Sequence, residues 1–152
     1  MFLKKSDKIA LHYKDIHLTY NELVSNVNKY ANIFKNKAKK VAVFSENRPE
    51  WVYSFYSIWK NDCVAITIDF MSTPDEVAYI LNDAQPEFIF CSIETHKLLI
   101  SISEKLLYTP NFLVFESINL KEISEDNSDL YIPDIYKTAL IIYTSGTTST
   151  PK

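Results

Sequence analysis

Between residues 41 and 115 the chain alternates short apolar runs with segments of helical period, and that alternation leaves few folds open. Val41-Ala42-Val43-Phe44, Val64-Ala65-Ile66-Thr67-Ile68, Phe88-Ile89-Phe90-Cys91 and Phe112-Leu113-Val114-Phe115 are apolar or β-branched almost throughout. Runs with no alternating polar position suit strands buried on both faces, as in a parallel sheet. The intervening segments predict helices over 49–60, 74–82 and 94–107. Pro49 stands early in the first of these, where a missing N–H costs little, with Asn47 or Arg48 near the cap. Thr73-Pro74-Asp75-Glu76 has the spacing of a capping box with proline at the first helical position. The pattern predicts an α/β fold, a mainly parallel sheet with helices on both faces and right-handed crossovers.

Ahead of this region, Ile9 to Tyr13 and Ile16 to Leu18 flank Lys14-Asp15 and predict a small hairpin. Thr19-Tyr20-Asn21-Glu22 repeats the capping-box spacing, and Leu23, Val27, Tyr30, Ala31 and Phe34 follow at helical period, which predicts a helix over 20–34. Residues 118–135 are irregular and include an acidic stretch at 122–129, the pattern of a solvated connection to a last strand over 139–143.

Composition narrows the class of molecule. The chain is 47% hydrophobic and 14% aromatic, enough apolar side chain to build a core. Its net charge is −3 and its lysines are scattered apart from the cluster at 35–40, which gives no footprint for nucleic acid. No apolar run approaches the ~20 residues that span a bilayer, so no transmembrane segment is expected. Met1-Phe2-Leu3-Lys4-Lys5 is charged too early for a signal peptide. A cytoplasmic protein is the expectation. Cys63 and Cys91 lie in apolar runs without CxxC spacing and read as buried free thiols. His12, His17 and His96 are far apart and have no cysteine or carboxylate at ligand spacing, so no metal site is expected. Trp51, Phe55, Ile58 and Trp59 share one helical face, which reads as core packing.

The chemistry concentrates in the last fifteen residues, TALIIYTSGTTSTPK. An apolar strand, Ala139-Leu140-Ile141-Ile142-Tyr143, runs into Thr144-Ser145-Gly146-Thr147-Thr148-Ser149-Thr150, six hydroxyls around the single glycine of the chain. At ordinary usage of ~7% a chain this long would hold about ten glycines. The one position that keeps glycine therefore points to a positive φ or a close approach of backbone to ligand. Backbone N–H groups in such a turn make an anion-binding concavity, hydroxyls add donors or metal contacts, and Lys152 adds a point charge. No GxSxG elbow surrounds Ser145, so a phosphate-contacting hydroxyl is a better reading than a nucleophile.

Tyr143-Thr144-Ser145-Gly146-Thr147-Thr148 with Pro151-Lys152 resembles the phosphate-loop signature of the adenylate-forming, AMP-binding enzymes, a superfamily of acyl-CoA synthetases, peptide-synthetase adenylation domains and luciferases. Ser149 departs from the family's pattern, which has glycine there; a Cβ at that point is expected to weaken phosphate binding without abolishing it. The Walker pattern GxxxxGK[ST] is absent. The resemblance extends upstream. Thr19-Tyr20 with Glu22-Leu23, Asn47 with Glu50, the strand ending at Asp69, and Thr73-Pro74 with Glu76, Ala78-Tyr79-Ile80-Leu81 and Asp83-Ala84 are similar to acyl-CoA synthetases, the fatty-acid–CoA ligases among them. Where that family places Gly-Ala before its second strand, Asp62-Cys63 stands here.

The resemblance implies that residues 1–152 form an incomplete N-terminal part of an AMP-binding domain, ending at the phosphate loop 143–152. It implies an ATP-dependent acid–thiol ligase that makes an acyl-adenylate and then a thioester, with ATP, Mg²⁺ and CoA as cofactors. Thr144, Ser145, Gly146, Thr147, Thr148 and Lys152 would hold the phosphates, with a small carboxylic acid as substrate and CoA or a carrier-protein thiol as acceptor. The family's remaining site residues lie beyond Lys152, so this stretch alone is expected not to catalyse adenylation, and its incomplete sheet is expected to expose an apolar face and self-associate. An amino-acid adenylation domain is the alternative within the enzyme class. A non-catalytic α/β domain that binds nucleotide weakly or not at all is the alternative outside it.

Overall fold

The computed structural model describes residues 3–125 and 136–144. The chain opens with an antiparallel hairpin, β1 (Ile9–Tyr13) and β2 (Ile16–Thr19), whose turn is made with Lys14 at φ 52. Thr19 then caps α1 (Tyr20–Phe34). Its hydroxyl accepts from the Glu22 N–H at 3.2 Å, and the Glu22 carboxylate accepts the Thr19 N–H at 2.8 Å, the reciprocal pair the spacing predicts.

From there strands and helices alternate: β3 (Lys40–Phe44), α2 (Pro49–Lys60), β4 (Val64–Ile68), α3 (Pro74–Ala84), β5 (Phe88–Cys91), α4 (Ile93–Ser101), β6 (Asn111–Val114) and β7 (Leu140–Ile142). The five strands from β3 onward make one sheet in the order β6-β5-β3-β4-β7, and every neighbouring pair is parallel. The hydrophobic expectation for a parallel sheet holds in detail. Ala42, Phe44, Ile66, Ile68, Ile89 and Cys91 pack against α3 and α4. Val41, Val43, Ala65 and Phe90 pack on the opposite side with α1 and α2. The period of two therefore splits each strand between two cores, so no strand can slip by one residue without exchanging them.

Two boundaries and one buried face differ from the sequence expectation. The helix expected over 94–107 stops at Ser101 and is followed by a 3₁₀ turn, Ser103–Lys105. Ser101 turns its hydroxyl back onto the Leu98 carbonyl at 2.7 Å, and Asn82 on α3 takes both the Lys105 carbonyl and the Leu107 N–H. That tertiary clamp pulls Leu106 and Tyr108 onto the α3/α4 core. The strand expected over 112–115 runs Asn111–Val114, and Phe115 opens a second 3₁₀ turn, Phe115–Ser117. The aromatic face of α2 is core only in part. Ile58 is buried, but Trp51, Phe55 and Trp59 are half-buried; Trp51 stacks on Phe55 at 5.1 Å between ring centres, and Phe55 meets the tilted Trp59 ring at 4.4 Å. In their stead Ser54 and Ser57 are fully buried, each with its hydroxyl bonded to a carbonyl one turn earlier. Small satisfied side chains on that line let α1 and α2 pack directly against each other.

The expected free thiols are there: Cys63 and Cys91 are buried and unbridged. His12 and His17 face each other across the hairpin at 4.5 Å, and His96 sits against the Phe112 ring at 5.3 Å. Among the described residues no helix is long and apolar enough to cross a membrane.

Candidate functional site

The strand that leads into the hydroxyl-rich loop lies at one margin of the parallel sheet, beside β4. Its side chains alternate as the pleat requires. Leu140 joins the α1/α2 core, while Ile141 and Tyr143 join the α3/α4 core. The chain thus leaves the sheet at its carboxyl end, where ligands of open α/β sheets bind.

Two clefts open at that end. The larger, about 640 Å³, is lined by Ser45 and Glu46 after β3, Thr67 and Asp69 at the end of β4, Trp51 on α2 and Tyr143 after β7. The smaller, about 210 Å³, is lined by Asp69, Ser72, Glu76, Ile80, Tyr143 and Thr144. Both lie between a rim of carboxylates and hydroxyls and a few apolar side chains, and the larger is within the range of small-ligand pockets, roughly 300–1,000 Å³.

The walls are held by local hydrogen bonds. Asp69 accepts the Met71 N–H on its carboxylate at 2.9 Å and the Ser72 N–H on its carbonyl at 3.0 Å, which turns the chain sharply out of β4. Thr73 then caps α3 with Glu76 in a second reciprocal box. The Thr73 N–H, and after it the Thr73 hydroxyl, hold the Glu76 carboxyl below its ordinary value of 4.5. The Tyr143 hydroxyl donates to the Asp83 carboxylate on α3. Burial first, then that bond and the charge of Asp83, push the phenol well above the ordinary tyrosine range.

A second set of charges frames the other side. Arg48, at the cap of α2, donates to Glu50 at 2.9 Å and to Glu116 at 2.5 Å, and its guanidinium lies 5.2 Å above the Phe115 ring. Glu116 in turn accepts the Ile93 N–H at 3.0 Å at the start of α4. One arginine thus ties the loop after β3 to the end of β6 and to α4. His12 lines a different groove, of about 320 Å³, together with Arg48 and Trp51.

Of the residues predicted to bind phosphate, Thr144 stands on the rim of the smaller cleft. Ser145, Gly146, Thr147, Thr148 and Lys152, along with Ser149, lie outside the described residues. The cleft residues Ser45, Glu46 and Ser72 and the Asp83 contact were not singled out as site residues from sequence. The available signal was positional: polar residues immediately after each apolar run fall at the carboxyl edge of a parallel sheet. Among the described residues no group of three or more His, Cys, Asp or Glu side chains converges to hold a metal ion.

The AMP-binding enzyme family profile matches residues 3–152. The dimodular nonribosomal peptide synthase of Bacillus subtilis is 29% identical over 153 residues, which is 96% of this chain and 6% of that protein. The 2-succinylbenzoate–CoA ligase of Enterococcus faecalis is 29% identical over 154 residues, 98% of this chain and 30% of that protein. The chain therefore spans a minor part of the relatives it matches. In fold it resembles the O-succinylbenzoate coenzyme A synthetase of Bacillus subtilis, solved in complex with AMP, with a TM-score of 0.79 and 23% identity over 97% of this chain and 38% of that one.

Proposed function

As the chain belongs to the AMP-binding enzyme family, we propose that it forms the nucleotide-phosphate side of an ATP-dependent acid–thiol ligase of the acyl-CoA synthetase type. On this reading residues 1–152 are the N-terminal part of the AMP-binding domain, and Thr144, Ser145, Gly146, Thr147, Thr148 and Lys152 hold the β- and γ-phosphates. The observation that carries it is the exit of β7 at the carboxyl edge of the sheet, with Thr144 on the rim of a polar cleft.

The physical difficulty of the reaction is that a carboxylate must approach an anionic α-phosphate. The chain's part is to fix the triphosphate with backbone N–H groups, hydroxyls and one ammonium, so that the α-phosphate is presented without further reorganisation. Mg²⁺ bound with the nucleotide would offset the remaining phosphate charge. The cleft residues fit a nucleotide that brings its own cation: Glu46, Asp69 and Glu76 would repel bare phosphate and favour a magnesium-loaded one. A small carboxylic acid is the substrate, and CoA or a carrier-protein thiol accepts the acyl group. The likeness to the peptide synthase supports a second reading, in which the acid is an amino acid and the thiol belongs to a carrier protein.

The test has two parts. Mg·ATP titration, read through Trp51 fluorescence at the cleft, is expected to show binding that Lys152→Ala weakens about tenfold, the scale of one charge-assisted contact. Absence of binding, or indifference to Lys152→Ala, overturns the phosphate-loop assignment and leaves a non-catalytic α/β domain. Acid-dependent ATP–pyrophosphate exchange by the protein carrying this region, across fatty, aryl and amino acids, then separates the two ligase readings.

A further inference from the structure

We propose that Asp83 is a positioning residue for the phosphate loop, acting through its hydrogen bond with the Tyr143 hydroxyl to fix where β7 hands the chain over to Thr144. The inference rests on the functional reading above. Its starting point is that two motif residues with no role in that reading, 60 positions apart in sequence, meet side chain to side chain.

Packing alone does not account for the pair. Tyr143 follows β7 and lays its ring on the α3/α4 core, a task for which phenylalanine would serve. The hydroxyl adds a direction, and the carboxylate it finds is exposed at the last turn of α3. Helix chemistry disfavours a carboxylate there, because the C-terminal end of a helix is already negative and α3 has no basic residue in its last turn. Asp83 makes sense as a partner for Tyr143 and not as a helix residue.

The end of α3 is also a firm reference point. Its first turn is closed by the Thr73–Glu76 box. Its last turn is held by Asn82, which bonds the backbone of Lys105 and Leu107, and by Gln85, whose N–H returns to the Leu81 carbonyl at 2.9 Å. A loop that must present several donors at once loses affinity if its root swings, because ordering it then falls to the ligand. Tying the residue before Thr144 to this helix end removes that freedom in advance. Burial and the neighbouring carboxylate keep the phenol protonated and therefore able to donate.

Mg·ATP titration of the wild type, Tyr143→Phe, Asp83→Ala, Asp83→Asn and the Tyr143→Phe/Asp83→Ala pair tests it, with thermal melts run alongside. Tyr143→Phe and Asp83→Ala are each expected to weaken binding about tenfold, the net scale of one hydrogen bond to a charged group. Asp83→Asn keeps an acceptor and is expected to restore most of the affinity. The double variant is expected to bind no worse than either single one, as two ends of one contact do. A purely structural pair would lower the melting temperature and leave the affinity of the folded protein unchanged, and that result overturns the inference. If Lys152→Ala weakens binding while Asp83→Ala and Tyr143→Phe do not, the inference alone falls. If the wild type binds no Mg·ATP, the phosphate-loop reading fails and this inference with it.

Discussion

The indole Nε1–H of Trp59 donates to the carbonyl oxygen of Ala139 over 2.9 Å, the same oxygen that the Ala65 N–H reaches at 3.0 Å. The start of β7 is thereby held at once by its neighbouring strand and by a helix. This also accounts for the half-exposed aromatic line of α2: its last member is a hydrogen-bond donor to the sheet margin, and the rings before it stack behind that donor.

Replacing that donor while keeping a ring isolates the bond. Trp59→Phe is expected to cost about 1 kcal/mol, the usual net contribution of one hydrogen bond. Hydrogen exchange at Leu140, Ile141 and Ile142 is expected to rise more than exchange in β3 and β5. Uniform change across the sheet would show that Trp59 does not act on β7 locally.

Arg48 is the charged hub between the end of β3, α2 and the end of β6. Arg48→Met keeps much of the length over Phe115 but leaves Glu50 and Glu116 without their partner, and is expected to destabilise by about 2–3 kcal/mol. The acid side of the stability profile tests the same contact. Partial burial works to raise the Glu116 carboxyl, but the Arg48 hydrogen bond, with further help from the Ile93 N–H, holds it below its ordinary 4.5. A depressed carboxyl contributes stability above its unfolded value and loses it as pH falls through the folded one. Wild type is therefore expected to lose stability below pH 4.5 more steeply than Arg48→Met.

Gln85 closes α3 in the left-handed region, with φ 47 and ψ 58. A side chain costs about 1 kcal/mol there and glycine costs nothing steric. Gln85→Gly is expected to raise the melting temperature by about 3 °C, the shift that about 1 kcal/mol gives a chain of this size. A fall instead would mean that the glutamine side chain makes a stabilising contact of its own.

The two thiols should be chemically quiet. Burial pushes Cys63 up to about 11 and Cys91 up to about 12, with nearby carboxylates adding to both. Little thiolate exists at pH 8, so a disulfide-exchange reagent is expected to label neither until the protein is unfolded. Rapid labelling of the native protein would show that one of them is reached through local opening.

Sequence reasoning reached the sheet because Val41 to Phe44 and its counterparts carry their signal locally, as do the Thr19–Glu22 and Thr73–Glu76 boxes. It failed where a distant residue decides. Nothing near Ser101 announces that Asn82 will capture Lys105 and Leu107 and end α4 early. Nothing near Tyr143 announces Asp83. Among the described residues, which include no glycine, the left-handed positions are taken by Lys14, Asn36, Asp62 and Gln85, side chains that do not mark a turn as glycine would. Asp62, just before β4, adopts a φ that glycine would favour, at 55°, and accepts from Lys137 at 2.6 Å. Of the candidate site, the strand and its exit were legible and the cleft walls were not, because Ser45 after β3, Asp69 after β4 and Tyr143 after β7 come together only when those strands align.

The position of β7 also sets an order of assembly. β3, β4, β5 and β6 are consecutive in the chain and can pair as each emerges during synthesis, whereas Leu140 finds its partner Ala65 only after all of them. Its pairing closes a long loop and is the most non-local step in the sheet. The strand that delivers Thr144 therefore docks onto an already folded platform, and a destabilised chain would release β7 before it lost its core.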